Sequence, residues 1–235
     1  MEQTDGSNDL YRLGGFTALV MIALVILDIG ISIAMPEEST THTVIEWFNL
    51  FNDNALKASR ELGILNVLNA VLGIPVIYSL YIAHYHVHRT YAGLALMLSL
   101  LGGAIYISSN AVLPMLDLSH RYLNAAEADH PTLVAAGEAL LTRGADFTPG
   151  SLPGFVIQSL ASILIAYVML RGAVFSRITA YSGLIGYTLL LIFTIWITLI
   201  PEAFNTAMIL AFPGGIFVLI WQFLIMRRLF QLAKK

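Results

Sequence analysis

Cysteine is missing from this 235-residue sequence, which removes disulfides, thiolate metal sites, iron–sulfur clusters and cysteine nucleophiles together. Charge is scarce as well. Asp, Glu, Lys and Arg make up 11% of the residues, where a soluble globular chain carries about 25% and needs them to cover its surface. A chain so poor in charge leaves most of its surface apolar, which suits hydrocarbon and not water. The few basic residues form no stripe, so nucleic acid is not an expected partner. There is no phosphate-cradling glycine loop and no local Ser-His-Asp motif. The absence of an internal repeat gives no support to an inverted-repeat transporter.

What the chain does have is apolar length. Hydrophobic residues make up 57% of it, and six runs approach or exceed the roughly 20 residues that cross about 30 Å of hydrocarbon. They lie at about 13–35, 62–83, 91–116, 152–170, 178–200 and 204–226. The expected fold is all-α: a polytopic bundle of six transmembrane helices forming one domain over 1–235, because helices satisfy their own backbone in lipid. The first run, Leu13 to Met35, exceeds the roughly 7–15 residues of a signal-peptide core and reads as a retained helix.

Alternate loops differ in charge, and that asymmetry sets orientation. One side receives both tails and the 84–90 and 171–177 loops, with eight cations: Arg12, Arg89, Arg171, Arg177, Arg227, Arg228, Lys234 and Lys235. The other side holds four cations and eleven acids. Both termini are therefore expected to be cytoplasmic. The two long connections, 36–61 and 117–151, then face outward. Thr43-Val44-Ile45-Glu46 has the form of a capping box, followed by Val44, Trp47, Phe48 and Phe51 at helical spacing. A second short helix is expected from about Pro131 to Arg143, with Gly144 to stop it. These amphipathic helices either anchor their loops in the membrane interface or form a lid over an outward-facing cavity.

Asp28 is the one acid well inside an expected span, where a carboxylate costs about 2.5–3.5 kcal/mol. It needs either a proton or a cation, and Arg60 and Arg121 are the partners best placed to reach it. Asn66 and Asn69 share a helix face with Gly73. In a continuous third helix Gly103, Tyr106, Asn110 and Asp117 share another. Gln158 sits at matching depth on the fourth span, Thr194 and Thr198 near the outer end of the fifth, and Asn205 opens the sixth. Each can be read singly as interhelical glue, worth about 0.6 kcal/mol on average; together they outline a hydrated pocket in the outer half of the bilayer. At its rim Asp117, His120 and Arg121 form either a salt bridge with a neighbouring histidine or part of an acid–base or metal site completed by Glu138, Asp146 or Glu202. His84, His86 and His88 are too few for a histidine-rich membrane metal centre, and no metal ligand is assigned. Pro75 and Pro213-Gly214-Gly215 are expected to kink or unwind their helices.

Asn110-Ala-Val-Leu-Pro-Met-Leu-Asp-Leu-Ser119, Tyr122 and Ala135-Ala-Gly-Glu-Ala-Leu-Leu141 resemble an uncharacterised family of prokaryotic six-span membrane proteins. The family is classed as domain of unknown function four-three-eight-six. Val168-Met-Leu-Arg-Gly-Ala-Val-Phe-Ser-Arg177 and Ala180-Tyr-Ser-Gly-Leu-Ile-Gly186 are similar to another stretch of its pattern. The resemblance implies a bacterial or archaeal cell-membrane protein and supplies neither activity nor catalytic residue. The residues themselves point to binding or sensing of a small polar or amphiphilic ligand by Asp28, Asn66, Asn69, Asn110 and Gln158, with Asp117, His120 and Arg121 at the rim. A solute transporter and an intramembrane hydrolase remain as alternatives. Membrane lipids and a small-molecule ligand are the expected partners; no cofactor, catalytic residue or oligomeric state is specified.

Overall fold

The computed structural model describes residues 2–34 and 42–234. The expected end of the first span at Met35, the acids Glu37 and Glu38, and Lys235 lie outside the described residues. Within them every regular element is helical and no strand occurs. The long helices are α1 (Glu2–Ala34), α4 (Ile64–Ser109), α7 (Leu152–Arg171), α8 (Arg177–Leu199) and α9 (Phe204–Leu232). Four shorter ones, α2 (Val44–Asp53), α3 (Ala55–Glu61), α5 (Val112–Asn124) and α6 (His130–Gly144), gather at one end as a cap. Among the described residues five helices are long and apolar enough to cross a membrane, so the chain is a multi-pass membrane protein. They form a closed ring in which α1 packs on α4 and α9, α9 on α8, α8 on α7, and α7 on α4.

The 46 residues of α4 would run for about 69 Å if straight. They do not, because His88 leaves helical dihedrals (φ −155°, ψ 74°) and divides α4 into arms at 64–87 and 89–109. The fold-back is closed at its far end, where the Asn110 amide lies 3.5 Å from the Leu62 carbonyl oxygen. Pro75 and Pro213 sit inside continuous helix, so neither helix is unwound at its proline. The third run also ends earlier than expected, at Ser109. Asn110 turns out of helical geometry there and its Oδ1 accepts the Val112 amide at 3.0 Å. Asp117 therefore sits on α5, a separate helix, and does not continue the face of Gly103 and Tyr106.

Small residues let the second arm of α4 approach α7 closely, as they do between helices in lipid. A Cβ on Gly102 would lie 2.9 Å from the Gln158 nitrogen, and one on Gly154 would lie 3.0 Å from Tyr106 Cβ. Away from the cap, Leu80, Ile165, Val168, Met169, Ile225 and Leu229 pack into a core from which solvent is excluded. The chain closes this end with two contacts. Ser176 caps α8 by accepting the Thr179 amide at 3.1 Å, and Arg228 Nε donates to the Val174 oxygen at 2.6 Å.

The cap has its own core. Thr43 and Glu46 form the reciprocal capping box, with bonds of 3.3 and 2.6 Å. The apolar face this starts does not meet lipid. Phe48 and Phe51 bury against Leu62, Val112 and Met115 of the neighbouring segments, each worth about 1.5–3 kcal/mol. On α6, Gly137 provides the space for Val44 and Phe48; an added Cβ would lie 2.4 Å from Val44 Cγ1. The loop helices thus form a packed layer over one end of the ring.

Candidate functional site

Between the helices of the ring lies a half-open cavity of about 400 Å³ to which all five long helices contribute. Most of its wall is apolar, with a minority of amides and hydroxyls, and among the described residues no Asp, Glu, Lys, Arg or His lines it. On α4 the spacing of Asn66, Asn69 and Gly73 puts all three on the cavity face. Gln158 enters from α7, and Ser99 donates to its Oε1 at 3.2 Å. On α9 the wall includes Gly215, Trp221 and Gln222. At the end away from the cap, Leu80 and Ile225 belong to both the cavity wall and the packed core.

Two features of this wall are unusual. Buried polar atoms normally have hydrogen-bond partners, yet Asn69 Oδ1, Gln222 Oε1 and Trp221 Nε1 are buried without one. Leaving such a group unsatisfied costs about 1–3 kcal/mol. The second feature concerns glycine. A Cβ on Gly73 would find only Met21 Cε, at 4.0 Å, and one on Gly215 would find nothing within 4 Å. Glycine in a helix interior is about 1 kcal/mol less favourable than alanine, and no close packing explains it here. The cavity is therefore wider than helix packing requires.

At the cap end the cavity has a roof, Asp146. This residue lies between α6 and α7 and is held over the wall by two of its residues: Tyr106 Oη donates to Oδ1 at 2.5 Å and Asn66 Nδ2 donates to Oδ2 at 2.6 Å. Tyr106 reaches it because Gly154 lets the Tyr106 backbone lie close to α7, where the Tyr106 ring also contacts that of Phe155, with centroids 4.9 Å apart. Gly63 is needed on two counts. Its φ of +93° lies in the left-handed region, and a Cβ there would stand 2.9 Å from the Asp146 carboxylate. Next to the acid, Phe147 takes a φ of 60° and stacks on Phe155 at 5.6 Å. Burial pushes the Asp146 carboxyl above the ordinary carboxylate range, and the bonds from Tyr106 and Asn66 pull it partly back.

Of the residues expected at the site, Asn66, Asn69 and Gln158 line the cavity. Asn110 sits beside it as the hinge between α4 and α5. Asp28 is paired outside the wall, with Arg60 Nη1 at 3.0 Å; Arg60 also reaches Ser32 and approaches Glu61. Asp117 and Arg121 form a 2.8 Å ion pair on the exposed surface of α5, with His120 exposed beside them, away from the cavity. His84 is buried, bonded through Nδ1 to the Leu80 oxygen at 2.8 Å and stacked on Phe175. Among the described residues no three His, Cys, Asp or Glu side chains come together as a metal ion would require.

Trp221 and Gln222 were not evident as site residues from the sequence. A signal existed: Gly215 precedes Gln222 by seven residues, which puts both on one helix face. The role of Asp146 had no comparable signal, since it depends on contacts 80 and 40 residues away along the chain.

The family model described as Domain of unknown function (DUF4386) matches residues 57–227, well over half of the chain. The chain belongs to this family. The region matched to DUF4386 includes Arg60, Asn66, Tyr106, Asp146, Gln158 and Gln222 and leaves out α1, with Asp28. Neither a curated protein nor a solved structure matches the chain.

Proposed function

We propose that this DUF4386 protein crosses a prokaryotic cell membrane six times, with both termini in the cytoplasm, and binds or senses a small amphiphilic ligand in an outward-facing cavity. Six crossings follow from counting each arm of α4, since the chain reverses at His88 and returns to Leu62. The orientation rests on the cations at the uncapped end. The binding site consists of Asn66, Asn69 and Gln158 together with Tyr106, Trp221 and Gln222, under Asp146.

The observation that carries this reading is a cavity kept open by Gly73 and Gly215, with the amide residues Asn66, Asn69, Gln158 and Gln222 in its wall. Binding is preferred over transport because the packing of Leu80, Ile225 and Leu229 closes the route toward the cytoplasmic end. Binding is preferred over hydrolysis because the one acid at the cavity, Asp146, has both oxygens engaged by Tyr106 and Asn66.

The test is native mass spectrometry of protein released from lipid nanodiscs. The wild type should retain a small amphiphile, whereas Gly215→Leu, which fills the cavity without meeting a neighbour at Cβ, should fold and emerge empty. Equal occupancy in both proteins would rule out this cavity as the binding site.

A further inference from the structure

We infer that the cavity is entered sideways, past the outer half of α1, so that its ligand is a lipid drawn from the outer leaflet. This rests on the binding reading above and adds the route and the source of the ligand. Both ends of the cavity are closed. Asp146 lies over the cap end, bonded to Tyr106 and Asn66, and Leu80, Ile225 and Leu229 pack together at the other. Three of the five seams of the ring are closed as well, each by a glycine that brings two helices into contact. A Cβ on Gly102 would lie 2.9 Å from the Gln158 nitrogen across the α4–α7 seam. One on Gly183 would lie 3.0 Å from Ala166 Cβ across α7–α8, and one on Gly214 would lie 3.0 Å from Leu190 Cδ2 across α8–α9.

The other two seams belong to α1, which runs antiparallel to the first arm of α4, with Gly14 beside Ser79 and Met21 beside Gly73. Its half away from the cap packs tightly. Thr17 and Ala18 are buried, a Cβ on Gly14 would collide with Ser79, and one on Gly15 would lie 3.1 Å from the Phe230 ring. Beyond Ala18 this packing stops. Among the described side chains none from Leu19 to Ala34 is buried, over about 22 Å of helix, and none from Ile64 to Pro75 is buried on the facing arm of α4. One side chain ties this stretch down. Among the described residues its hydrogen bonds and ion pairs to other helices all go to Arg60, whose Nη1 lies 3.0 Å from both Asp28 Oδ1 and Ser32 Oγ. The outer half of α1 is therefore a door hinged near Ala18 and latched at Asp28. Met21 and Val25 stand on it and line the cavity, so swinging it outward opens the cavity to hydrocarbon. A charged solute would have to shed its water to pass that way, whereas a lipid is already dissolved there and its acyl chain suits the largely apolar wall.

The test uses Asp28→Cys combined with Arg60→Cys, the only thiols in an otherwise cysteine-free chain. A bis-thiosulfonate reagent bridges them before the protein meets phosphatidylcholine carrying a diazirine on one acyl chain. After reconstitution in nanodiscs of that lipid, photolysis and peptide mass spectrometry read labelling at the cavity residues Asn69, Gln158 and Gln222, with exposed Phe223 as the lipid-facing standard. Reductant, which opens the bridge, should raise cavity labelling at least tenfold and leave Phe223 unchanged. Arg60→Gln should label the cavity about fivefold faster than wild type, the scale of one ion pair, and Gly215→Leu should lose cavity labelling alone. Equal cavity labelling of the bridged and reduced proteins overturns lateral entry and leaves the cavity as a binding site. A cavity unlabelled in both the wild type and the reduced protein overturns both readings.

Discussion

Replacing Asp146 should separate the two jobs its carboxylate performs. In Asp146→Ala the hydroxyl of Tyr106, a residue only 4% exposed, loses its acceptor, and Asn66 loses its own. A hydrogen bond to a charged group contributes about 1.5–3 kcal/mol and a neutral one about 1. Allowing for the more exposed setting of Asn66, the alanine variant should lose about 3 kcal/mol. Asp146→Asn keeps an acceptor for Tyr106, and the Asn66 amide can rotate to offer its oxygen, so this variant should lose about 1 kcal/mol at neutral pH. Unfolding in mixed micelles, followed by circular dichroism, gives both values. The pH dependence is the sharper measurement. Since burial raises the Asp146 pKa in the folded protein, the folded state holds this proton more tightly than the unfolded chain. The resulting stabilisation is complete below the ordinary value of 3.8 and is lost as pH rises through the raised folded value. The advantage of wild type over Asp146→Asn should therefore be largest at acid pH and shrink toward neutrality. An advantage that is flat or grows with pH would refute the placement of this carboxyl in a desolvated roof.

Arg60→Gln should destabilise the protein by about 1–2 kcal/mol, because Asp28 is left facing apolar helix with its main cation removed; Asp28 is 43% exposed, which keeps the loss below that of a fully buried pair. Adding Asp28→Asn should recover most of the loss in the same unfolding assay, and strictly additive losses would show that the pair is not coupled. Since the sequence has no cysteine, single cysteines can report topology directly. A membrane-impermeant thiol reagent applied to intact cells should label position 140 and spare positions 89 and 234, and the reverse pattern would invert the orientation.

Hydropathy alone located the long helices, because each had to cover its own backbone in apolar sequence, and the capping box at Thr43 placed the start of α2. Other features were less legible. The 84–90 connection reads as a loop, yet helix resumes immediately after His88, because a single pair of dihedrals is enough to reverse the chain. The apolar face of α2 is compatible in sequence with the membrane interface or with a lid, since periodicity reports that a face is buried and not what buries it; Leu62, Val112 and Met115 come from distant parts of the chain. For the cavity, the amides Asn66, Asn69 and Gln158 were visible as polar residues in apolar runs. Asp28 had the same signal but a different fate, because Arg60 lies within reach. Asp146 looked like one loop acid among many. Only the long-range approach of Asn66 and Tyr106 distinguishes it.

The reversal at His88 has a mechanical consequence. Asp146 is bonded near the free ends of both arms of α4, through Asn66 on one and Tyr106 on the other. The two arms behave as a pair of tongs whose pivot lies at the far side of the membrane domain and whose tips are joined by the Asp146 carboxylate and by the bond from Asn110 to Leu62. The longer arm, residues 64–87, measures about 36 Å, so a rotation of roughly 5° at the pivot moves its tip by about 3 Å, the width of a water molecule. The bonds at the tips therefore restrain a displacement of that size, although the backbone change that would produce it is confined to a single residue some 30 Å away.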